Sequence, residues 1–447
     1  MTAVDSYRTL HPRSDVVNYT RHIVPSRVNR RSLLLALSGA PLPLASSCAS
    51  PERRGRRVVT LWYSYGGKNR EVLTELVARF NRSQGDILVE ATYQGDYYEA
   101  LAKLRTAVAA RVAPTLSHVV VEVLPYLAET RALEPLDEYP GARELGLVHS
   151  LAQAGAFASG DARPLYGIPF NRSIPVTYLN SELFEAERLD APTTWAELVE
   201  AARRLTRRSA ANPRWGFGVP ISWWFWVAMT AQAGGELVGP GGETTFGGEA
   251  GAKALAFLQR LVHDERVMRL PAGRDYNAWQ VTNQDFIAGR VAMTWMSTAF
   301  LRYIEENARF RVRTAPLPGD VRRAVPTGGT FFVMLASAPE PEKRAAWSFL
   351  RFMCATDQAV DWATRTGYLP VTDASVARLR DGGFFAKHPN DTVAQRDLAN
   401  VLAWPWAPNL FRSQRDVLEP RLEEAVMKGR NAGALLREAR ELARRPW

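Results

Sequence analysis

The chain contains 447 residues, of which 46% are hydrophobic and 23% are charged. These proportions are those of folded globular domains, so they exclude a disordered chain and a bundle of membrane-spanning helices, and the length predicts two or three domains. The formal net charge is +10 at pH 7. Residues 1–57 hold ten arginines against three acidic residues, a net charge of +7, which leaves +3 for the remaining 390 residues. The basicity therefore belongs to the N-terminal segment and does not predict nucleic-acid binding by the folded body.

The N-terminal segment has the pattern of an export signal that ends at Cys48. Arg30 and Arg31 close a basic stretch, an apolar run follows, and small residues lead into the cysteine. The arginine pair before Ser-Leu-Leu resembles a twin-arginine signal, and the residues just before Cys48 resemble a lipoprotein cleavage box in which Cys48 becomes lipidated. The apolar run is too short and too interrupted by prolines for a stable membrane span. We therefore expect an export signal over 1–48, with simple secretion as the alternative to lipidation, and a polar tether over 49–57.

The body of the chain begins with strand patterns that alternate with helical ones. Residues 58–62 and 87–89 are β-rich runs, and apolar residues at helical spacing lie between them, over 71–80. A second amphipathic helix is predicted at 98–108 and a third strand at 116–121. This alternation predicts an open α/β sheet with crossover helices. Ligands of such sheets bind beyond the carboxyl ends of strands, so the loops after these three strands are the first places to seek a site.

Helical patterns dominate the second half of the chain. Thr194 and Glu197 have the spacing of a capping box, in which each side chain satisfies a free backbone donor of the other residue. Further helices are predicted over 252–263, over 340–355 and from residue 417 onward. The chain is therefore expected to pass from an alternating α/β region into a helix-rich one.

Five parts of the body, in chain order, carry a resemblance to a known family. They are Gly167–Asn171 with Pro175–Asn180, Pro192–Trp195, Phe286–Met293, Thr327–Thr330 and Thr366–Val371. Together they resemble the signature of the family 1 extracellular solute-binding proteins of bacterial ABC importers, and the resemblance extends over residues 58–447. It implies a two-lobed α/β fold of the periplasmic-binding-protein type with a hinge between the lobes, no catalysis and no cofactor.

The resemblance also implies that each lobe is built from separate parts of the chain. We expect residues 58–168 plus about 290–335 to form the N-terminal lobe. Residues from about 169 to 289, plus 336–447, are expected to form the helix-rich C-terminal lobe. The segment 286–293 is then the strand that re-enters the first lobe. Closure of the two lobes would exclude water from the ligand and present a closed form to the membrane permease.

Within that family the chain resembles the glycerol-3-phosphate-binding branch, through residues 93–97, the approach to Glu122 and residues 383–390. The ligand contacts of that branch, carried over residue by residue, fall on Tyr97, Glu122, Ser173, Ser297, Gly328 or Gly329, and Tyr368. The branch also holds the ligand phosphate with an arginine in the late segment, where this chain has Ala407. Arg412 and Arg415 lie nearby but out of register, Arg172 and Arg412 are the candidate substitutes, and the departure argues against a phosphate ester as ligand.

A sugar offers hydroxyl groups at its edges and weakly apolar faces, so a sugar site needs polar side chains at the edges and aromatic rings on the faces. Asp96, Glu122 and Ser173 are the candidates for the edges. The candidates for the faces are Tyr65, Tyr97, Trp224, Tyr368 and Trp406. Because a free carboxylate attracts an ammonium group and repels a phosphate, these residues favour a sugar or an amino sugar. Glycerol-3-phosphate and glycerophosphodiesters are the alternative ligands.

Several candidates also have a purely structural explanation. Asp96 fits an Asx turn after Gly95, and Glu122 fits a surface position at the end of a strand. Trp224 belongs to four consecutive aromatic residues, and at least two of these must be buried if the segment is helical. Cys354 fits a small buried apolar position.

Other functions are weighed against solute binding. A secreted glycoside hydrolase needs two carboxylates flanking a bond, and Asp96 with Glu122 is the only pair on offer. The six histidines lack metal-ligand spacing, and the chain has no CxxC and no GxxxxGK[ST] sequence, so neither a metal site nor ATP hydrolysis is expected. A structural envelope lipoprotein is the remaining alternative. We expect a monomer anchored by lipid outside the cytoplasmic membrane, with a small sugar-like ligand and ABC permease subunits as partners.

Overall fold

The computed structural model describes residues 53, 55–154, 164–209, 211–240, 242–273, 276–405, 407 and 409–445. The predicted export signal with Cys48, most of the predicted tether before Arg57, and Trp406 lie outside these residues. None of the helices in the described part of the chain is long and apolar enough to cross a membrane.

The elements before the first change of sheet are β1 (Arg57–Tyr63), α1 (Gly67–Ser83), β2 (Ile87–Tyr93), α2 (Tyr97–Ala109), β3 (Leu116–Val120), α3 (Leu124–Glu129), α4 (His149–Ala152) and β4 (Ile168–Pro169). The next group is β5 (Pro175–Asn180), α5 (Ser181–Ala186), α6 (Trp195–Leu205), β6 (Trp215–Gly218), α7 (Trp223–Gln232), α8 (Gly248–Gln259), β7 (Met268–Arg269), α9 (Tyr276–Ile287), β8 (Val291–Ser297), α10 (Leu301–Asn307) and β9 (Val312–Ala315). The last group is β10 (Thr330–Met334), α11 (Glu340–Cys354), α12 (Thr356–Thr366), α13 (Asp373–Asp381), α14 (Phe384–Lys387), α15 (Pro389–Asp397), α16 (Leu410–Arg412), α17 (Glu419–Lys428) and α18 (Ala432–Ala443).

The first sheet has the strand order β2–β1–β3–β10–β4, with β1 parallel to β2 and β3, and β10 antiparallel to β3 and β4. Successive residues of β10 face opposite sides, so Phe332 and Met334 join the apolar layer of α1 and α11 while Phe331 and Val333 join that of α2 and α3. The sheet is therefore covered on both faces, which explains why all five residues of β10 are buried.

The second sheet has the order β7–β6–β8–β5–β9, and its central strands β5 and β8 are buried along their whole length. Helices α6 to α9 and the C-terminal helices α17 and α18 contribute to one continuous apolar cluster around it. Thr194 caps α6 by accepting the Glu197 N–H at 3.1 Å, and the Glu197 carboxylate accepts mainly from the N–H and hydroxyl of Thr193. The Thr194 backbone is a weaker donor to the same carboxylate, so the predicted cap is present with Thr193 as an additional partner.

The chain passes between the two sheets three times. Residues 170–174 join β4 to β5, and residues 316–329 join β9 to β10. Residues 367–372 follow α12, which packs on α1 of the first lobe, and lead towards α15, which packs beside β9 of the second sheet. We refer to these as the first, second and third crossings. They are hydrogen-bonded to one another: Ser173 and Gly328 form a β-bridge, and the Leu369 N–H donates to the Arg172 carbonyl at 2.8 Å.

The division of the chain differs from the expected one at two places. We assigned residues 290–335 to the first lobe, but β8 and β9 pair with β5 in the second sheet and only β10 returns to the first. We assigned residues 336–447 to the second lobe, but α11 and α12 pack against β1 and α1. An apolar strand pattern predicts that a strand exists, and the partners of that strand are decided by contacts between residues far apart in the chain.

Gly329 is fixed by both conformation and space. Its φ is +88°, and a Cβ added to it would lie 1.7 Å from the Asn171 carbonyl oxygen. We expect Gly329→Ala to lower the free energy of unfolding by about 3 kcal/mol or more, measured by urea unfolding. Gly289→Ala is the control, because Gly289 has φ +71° with nothing within 4 Å of such a Cβ, and it should cost only about 1 kcal/mol. Equal costs for the two variants would contradict the steric explanation.

Candidate functional site

The polar side chains singled out from the sequence converge where the three crossings meet the carboxyl ends of the first sheet. Asn171 is fully buried at this point. Its Oδ1 accepts from the Thr330 N–H at 2.9 Å, and its Nδ2 donates to the phenolic oxygens of Tyr97 at 3.3 Å and Tyr368 at 3.4 Å. One amide thus joins the first crossing to the start of α2, to β10 and to the third crossing.

Arg172, the next residue, carries the positive charge of this region. Its side chain is completely buried, with the guanidinium carbon 4.5 Å from the centre of the Phe331 ring. Nη2 donates to the Thr327 hydroxyl, whereas Nε and Nη1 have no hydrogen-bond partner. Burial lowers the pKa of Arg172 to about 10, although the nearby Glu122 opposes the shift. The guanidinium therefore remains charged at neutral pH and keeps unused donors.

Glu122 lies directly beyond β3, in a turn of 3₁₀ helix over Val121–Val123. Its side chain is buried, and this desolvation raises its pKa to about 7, with Arg172 lowering it and Glu419 raising it. The carboxyl group is therefore divided between its acid and carboxylate forms near neutral pH. The surface position considered for Glu122 from the sequence is wrong.

The second lobe contributes tryptophans that converge on Thr327. Trp224, at the start of α7, and Trp404 each donate an indole N–H to the Thr327 carbonyl, at 3.2 and 3.1 Å. A Cβ at Gly328 would lie 2.8 Å from the Trp224 ring, so glycine permits this close approach. Trp223 packs edge-on against Trp404, with ring centres 5.3 Å apart.

Tyr98, in the first turn of α2, contacts side chains of the second lobe. Its ring lies 6.1 Å from that of Phe411 and 4.2 Å from the guanidinium carbon of Arg415, measured between centres. Arg415 lies in a π-helical turn over Ser413–Leu418, and such turns often occur at functional positions. These contacts join α2 to the C-terminal residues 411–415 close to Glu122.

An aromatic cluster lines the first-lobe side of the site. Tyr368 stacks on Trp362 with ring centres 5.5 Å apart, and Tyr65 stacks on His118 at 5.2 Å. The Tyr65 hydroxyl and both His118 ring nitrogens are buried without a hydrogen-bond partner. Burial lowers the pKa of His118 to about 3, so its ring is neutral under physiological conditions.

Two of the predicted contact residues serve as helix caps. Asp96 Oδ1 accepts the N–H groups of Tyr98 and Glu99, both at 2.8 Å, and thereby caps α2. Ser297 Oγ accepts the Ala299 N–H at 3.1 Å at the end of β8. The structural explanation considered for Asp96, a local turn made by its side chain, is therefore correct, and the turn is the N-cap of α2.

Residues 75–391 match the family model of the bacterial extracellular solute-binding proteins. The chain belongs to that family. The sn-glycerol-3-phosphate-binding periplasmic protein UgpB of Escherichia coli K12 is 25% identical over 370 residues, which are 79% of this chain and 83% of the relative.

Solved structures of the same two-lobed type superpose on most of the chain. UgpB of Mycobacterium tuberculosis, in complex with glycerophosphocholine, has a TM-score of 0.76 and 23% identity over 87% of this chain and 98% of its own. Maltose-bound MalE3 of Thermotoga maritima has a TM-score of 0.76 and 20% identity, covering 86% and 98%. These structures confirm the predicted fold, and the family confirms the prediction of an ABC-type solute-binding protein.

In this solute-binding protein the structure brings together most, not all, of the residues singled out from the sequence. Contacts or electrostatic proximity link Tyr65, Tyr97, Glu122, Ser173, Trp224, Gly328, Gly329 and Tyr368 around the crossings. The candidate site residues predicted from the sequence did not include Asn171 and Thr327, although both lie inside the segments that carry the family resemblance. A buried amide that joins two crossings has no signature in a single sequence, because its partners are distant along the chain.

The raised pKa of Glu122 predicts a specific dependence of stability on pH. Between the ordinary glutamate pKa of 4.5 and about 7, the folded chain holds more protons at this site than the unfolded chain. The contribution of Glu122 to stability therefore falls as the pH rises through this window. We expect Glu122→Gln to gain up to about 3 kcal/mol in free energy of unfolding relative to wild type between pH 5 and pH 8.

Urea unfolding of both proteins at the two pH values measures this difference. The contribution of His118, whose pKa is lowered, changes only below its ordinary value of 6.5 and is the same in both proteins, so it cancels. A difference that stays constant from pH 5 to pH 8 would mean that Glu122 does not titrate in the folded protein.

Proposed function

We propose that this protein captures a small hydroxyl-rich solute, of the sugar or glycerophosphate type, and delivers it to the permease of an ABC importer. The observation that carries the proposal is the convergence of buried polar groups from all three crossings with aromatic rings from both lobes. Such a mixture matches the hydroxyl edges and apolar faces of a sugar or polyol. The named relatives, which bind glycerol-3-phosphate, glycerophosphocholine and maltose, support this class of ligand.

We assign to the ligand the residues whose side chains can offer it hydrogen bonds or an aromatic face. Glu122 and Ser173 offer polar groups for hydroxyls, and Tyr65, Tyr97, Trp224 and Tyr368 offer rings and phenolic oxygens. Gly328 and Gly329 allow the backbone of the second crossing to lie close to its neighbours. Asp96 and Ser297 act through the backbone segments that they cap, so we assign them a positioning role.

Movement of the lobes about the three crossings would open and close the cleft. The contacts of Tyr98 with Phe411 and Arg415 join α2 of the first lobe to the C-terminal residues 411–415, so we expect them to change when the cleft opens. A closed protein would hold the ligand away from water and offer the permease a surface that the open protein lacks. Catalysis is not part of the proposal, because Asp96, one of the only pair of candidate carboxylates, is engaged as a helix cap.

The first test is a thermal-shift screen with three sets of probes: neutral oligosaccharides, amino sugars, and glycerophosphodiesters with glycerol-3-phosphate. A probe at one hundred times its Kd should stabilise the protein by about 2.7 kcal/mol, and its saturation should reduce the radius of gyration in solution scattering. Trp224→Ala should weaken the response, whereas Trp215→Ala, a change on β6 away from the crossings, should leave it unaltered. No response to any set, or a response without a change in radius, would contradict capture by closure.

We further propose that Cys48 is lipidated and anchors the protein outside the cytoplasmic membrane. The prediction is that Cys48→Ser moves the protein from the membrane fraction to the soluble exported fraction, because a serine hydroxyl cannot accept the lipid through a thioether. Immunoblots of the two fractions measure the distribution, and Cys354→Ser is the control because Cys354 is buried in the first lobe. Cys48→Ser protein that stays in the membrane fraction would contradict the anchor.

A further inference from the structure

We propose that Arg172 makes the cleft selective for a solute that carries an oxyanion, with its unused guanidinium N–H groups as the donors to that anion. The inference rests on the proposed function, because it concerns the charge of the solute bound in the same cleft. The favoured anion is a phosphate group on a hydroxyl-rich skeleton. A carboxylate offers the same hydrogen-bonding edge, and the experiment distinguishes the two.

The donors of Arg172 exceed the acceptors around it. A guanidinium has five N–H groups, and the lone bond from Nη2 to Thr327 leaves the one on Nε and the two on Nη1 without partners. Thr327 already accepts from the Trp404 indole, at 3.0 Å to its hydroxyl and 3.1 Å to its carbonyl. The Thr327 hydroxyl therefore has little capacity for a second bond from Arg172.

The surroundings restrict where an acceptor can come from. The Phe331 ring covers one face of the guanidinium, so an acceptor must approach in the plane, along an edge. The side chain is completely buried, and a buried charged donor without an acceptor is strongly unfavourable. The unused Nε and Nη1 donors lie on different edges of the guanidinium, so an oxyanion would bond to either of them, and a charged acceptor forms the stronger hydrogen bond. A bound oxyanion would thus supply the hydrogen-bond acceptor that the protein itself does not provide for Arg172.

The charges beside Arg172 leave room for an anion. Glu122 is the acidic group that attracts the guanidinium, yet neither Nε nor Nη1 is hydrogen-bonded to it. Within the described part of the chain, the titratable groups that interact electrostatically with Glu122 are Arg172, Glu419 and Tyr98, and Arg415 lies against the Tyr98 ring. When Glu122 is protonated, the positive charge of Arg172 is available to a ligand. An anion bound there would in turn favour the protonated form of Glu122.

This coupling gives oxyanion binding a defined pH dependence. Because the bound anion favours protonated Glu122, binding takes up protons, and affinity should fall as the pH rises through about 7. A solute bearing an ammonium group would behave in the opposite way, since it would favour ionised Glu122. The sign of the pH dependence therefore reports the charge of the bound solute.

The test is titration calorimetry on the exported protein with one anionic and one neutral probe in each pair: glycerophosphoglycerol against glycerol, and glucuronate against glucose. We expect wild type to prefer the anionic member of at least one pair by on the order of 30-fold, the phosphodiester pair being the favoured one. Arg172→Met should abolish this preference while changing the affinity for the neutral member by less than about threefold. Arg172→Lys should restore part of it, because it keeps the charge without the planar edge. The control is Arg311→Met, at an exposed arginine paired with Glu185.

The alternative is that Arg172 only holds the crossings together. Arg172→Met would then weaken the anionic and neutral probes equally, and that result would overturn the proposal. Binding of neutral or amine-bearing probes alone would overturn it as well, while the proposed function would stand. If no probe bound, including those of the three-set screen, both the oxyanion proposal and the proposed function would be contradicted.

Glu122→Gln tests the proposal even if the Arg172 variants do not fold. The probe is the phosphodiester, because phosphate monoesters titrate near pH 6 themselves. Wild-type affinity for it should fall roughly three- to tenfold from pH 6 to pH 8. Glu122→Gln should remove this dependence, so that its affinity for the phosphodiester is the same at pH 6 and at pH 8. Affinity that rises with pH in wild type, or a Gln variant whose affinity still falls between pH 6 and pH 8, would overturn the proposal.

Discussion

The hydrogen-bonded junction of the three crossings is the feature on which the rest of this structure depends. Asn171 satisfies Thr330, Tyr97 and Tyr368 at once, and the Ser173–Gly328 bridge ties the first crossing to the second. Two sheets with separate apolar cores need a fixed connection if they are to move as lobes and still return to one arrangement. A small set of backbone and amide bonds provides it, and Gly329 is required because no Cβ fits beside the Asn171 carbonyl.

The same junction determines the electrostatics of the cleft. Placing Arg172 inside it removes the guanidinium from water and leaves donors unused, and placing Glu122 beyond β3 raises the pKa of that carboxyl group. A buried charge is tolerated when something else supplies its partner. In a protein that binds a solute, the solute itself can be the hydrogen-bond acceptor that Arg172 lacks. This connects the hinge to the selectivity of the site.

Much of the fold could be predicted, because its signals are local. The alternation of β-rich and amphipathic runs at the start of the chain predicted the first sheet, and helical periodicity predicted α11, whose observed end lies one residue from the predicted one. The segments around residues 168–180 and 366–371 carried the family resemblance. By contrast, the expected place of β8 in the first lobe was wrong, since nothing in residues 291–297 specifies the sheet that they join.

The sequence by itself determined the family, the strands and helices, and the residue types from which a sugar-type site is made. Tertiary structure alone decided that Glu122 is buried and that Arg172 has unused donors. The physical reason is that burial and the count of unused hydrogen bonds depend on groups brought together from distant parts of the chain, whereas Asp96 and Ser297 cap helices through N–H groups only two or three residues away. Periodicity along the sequence reports which side of an element is apolar, and it contains no information about the element that faces that side.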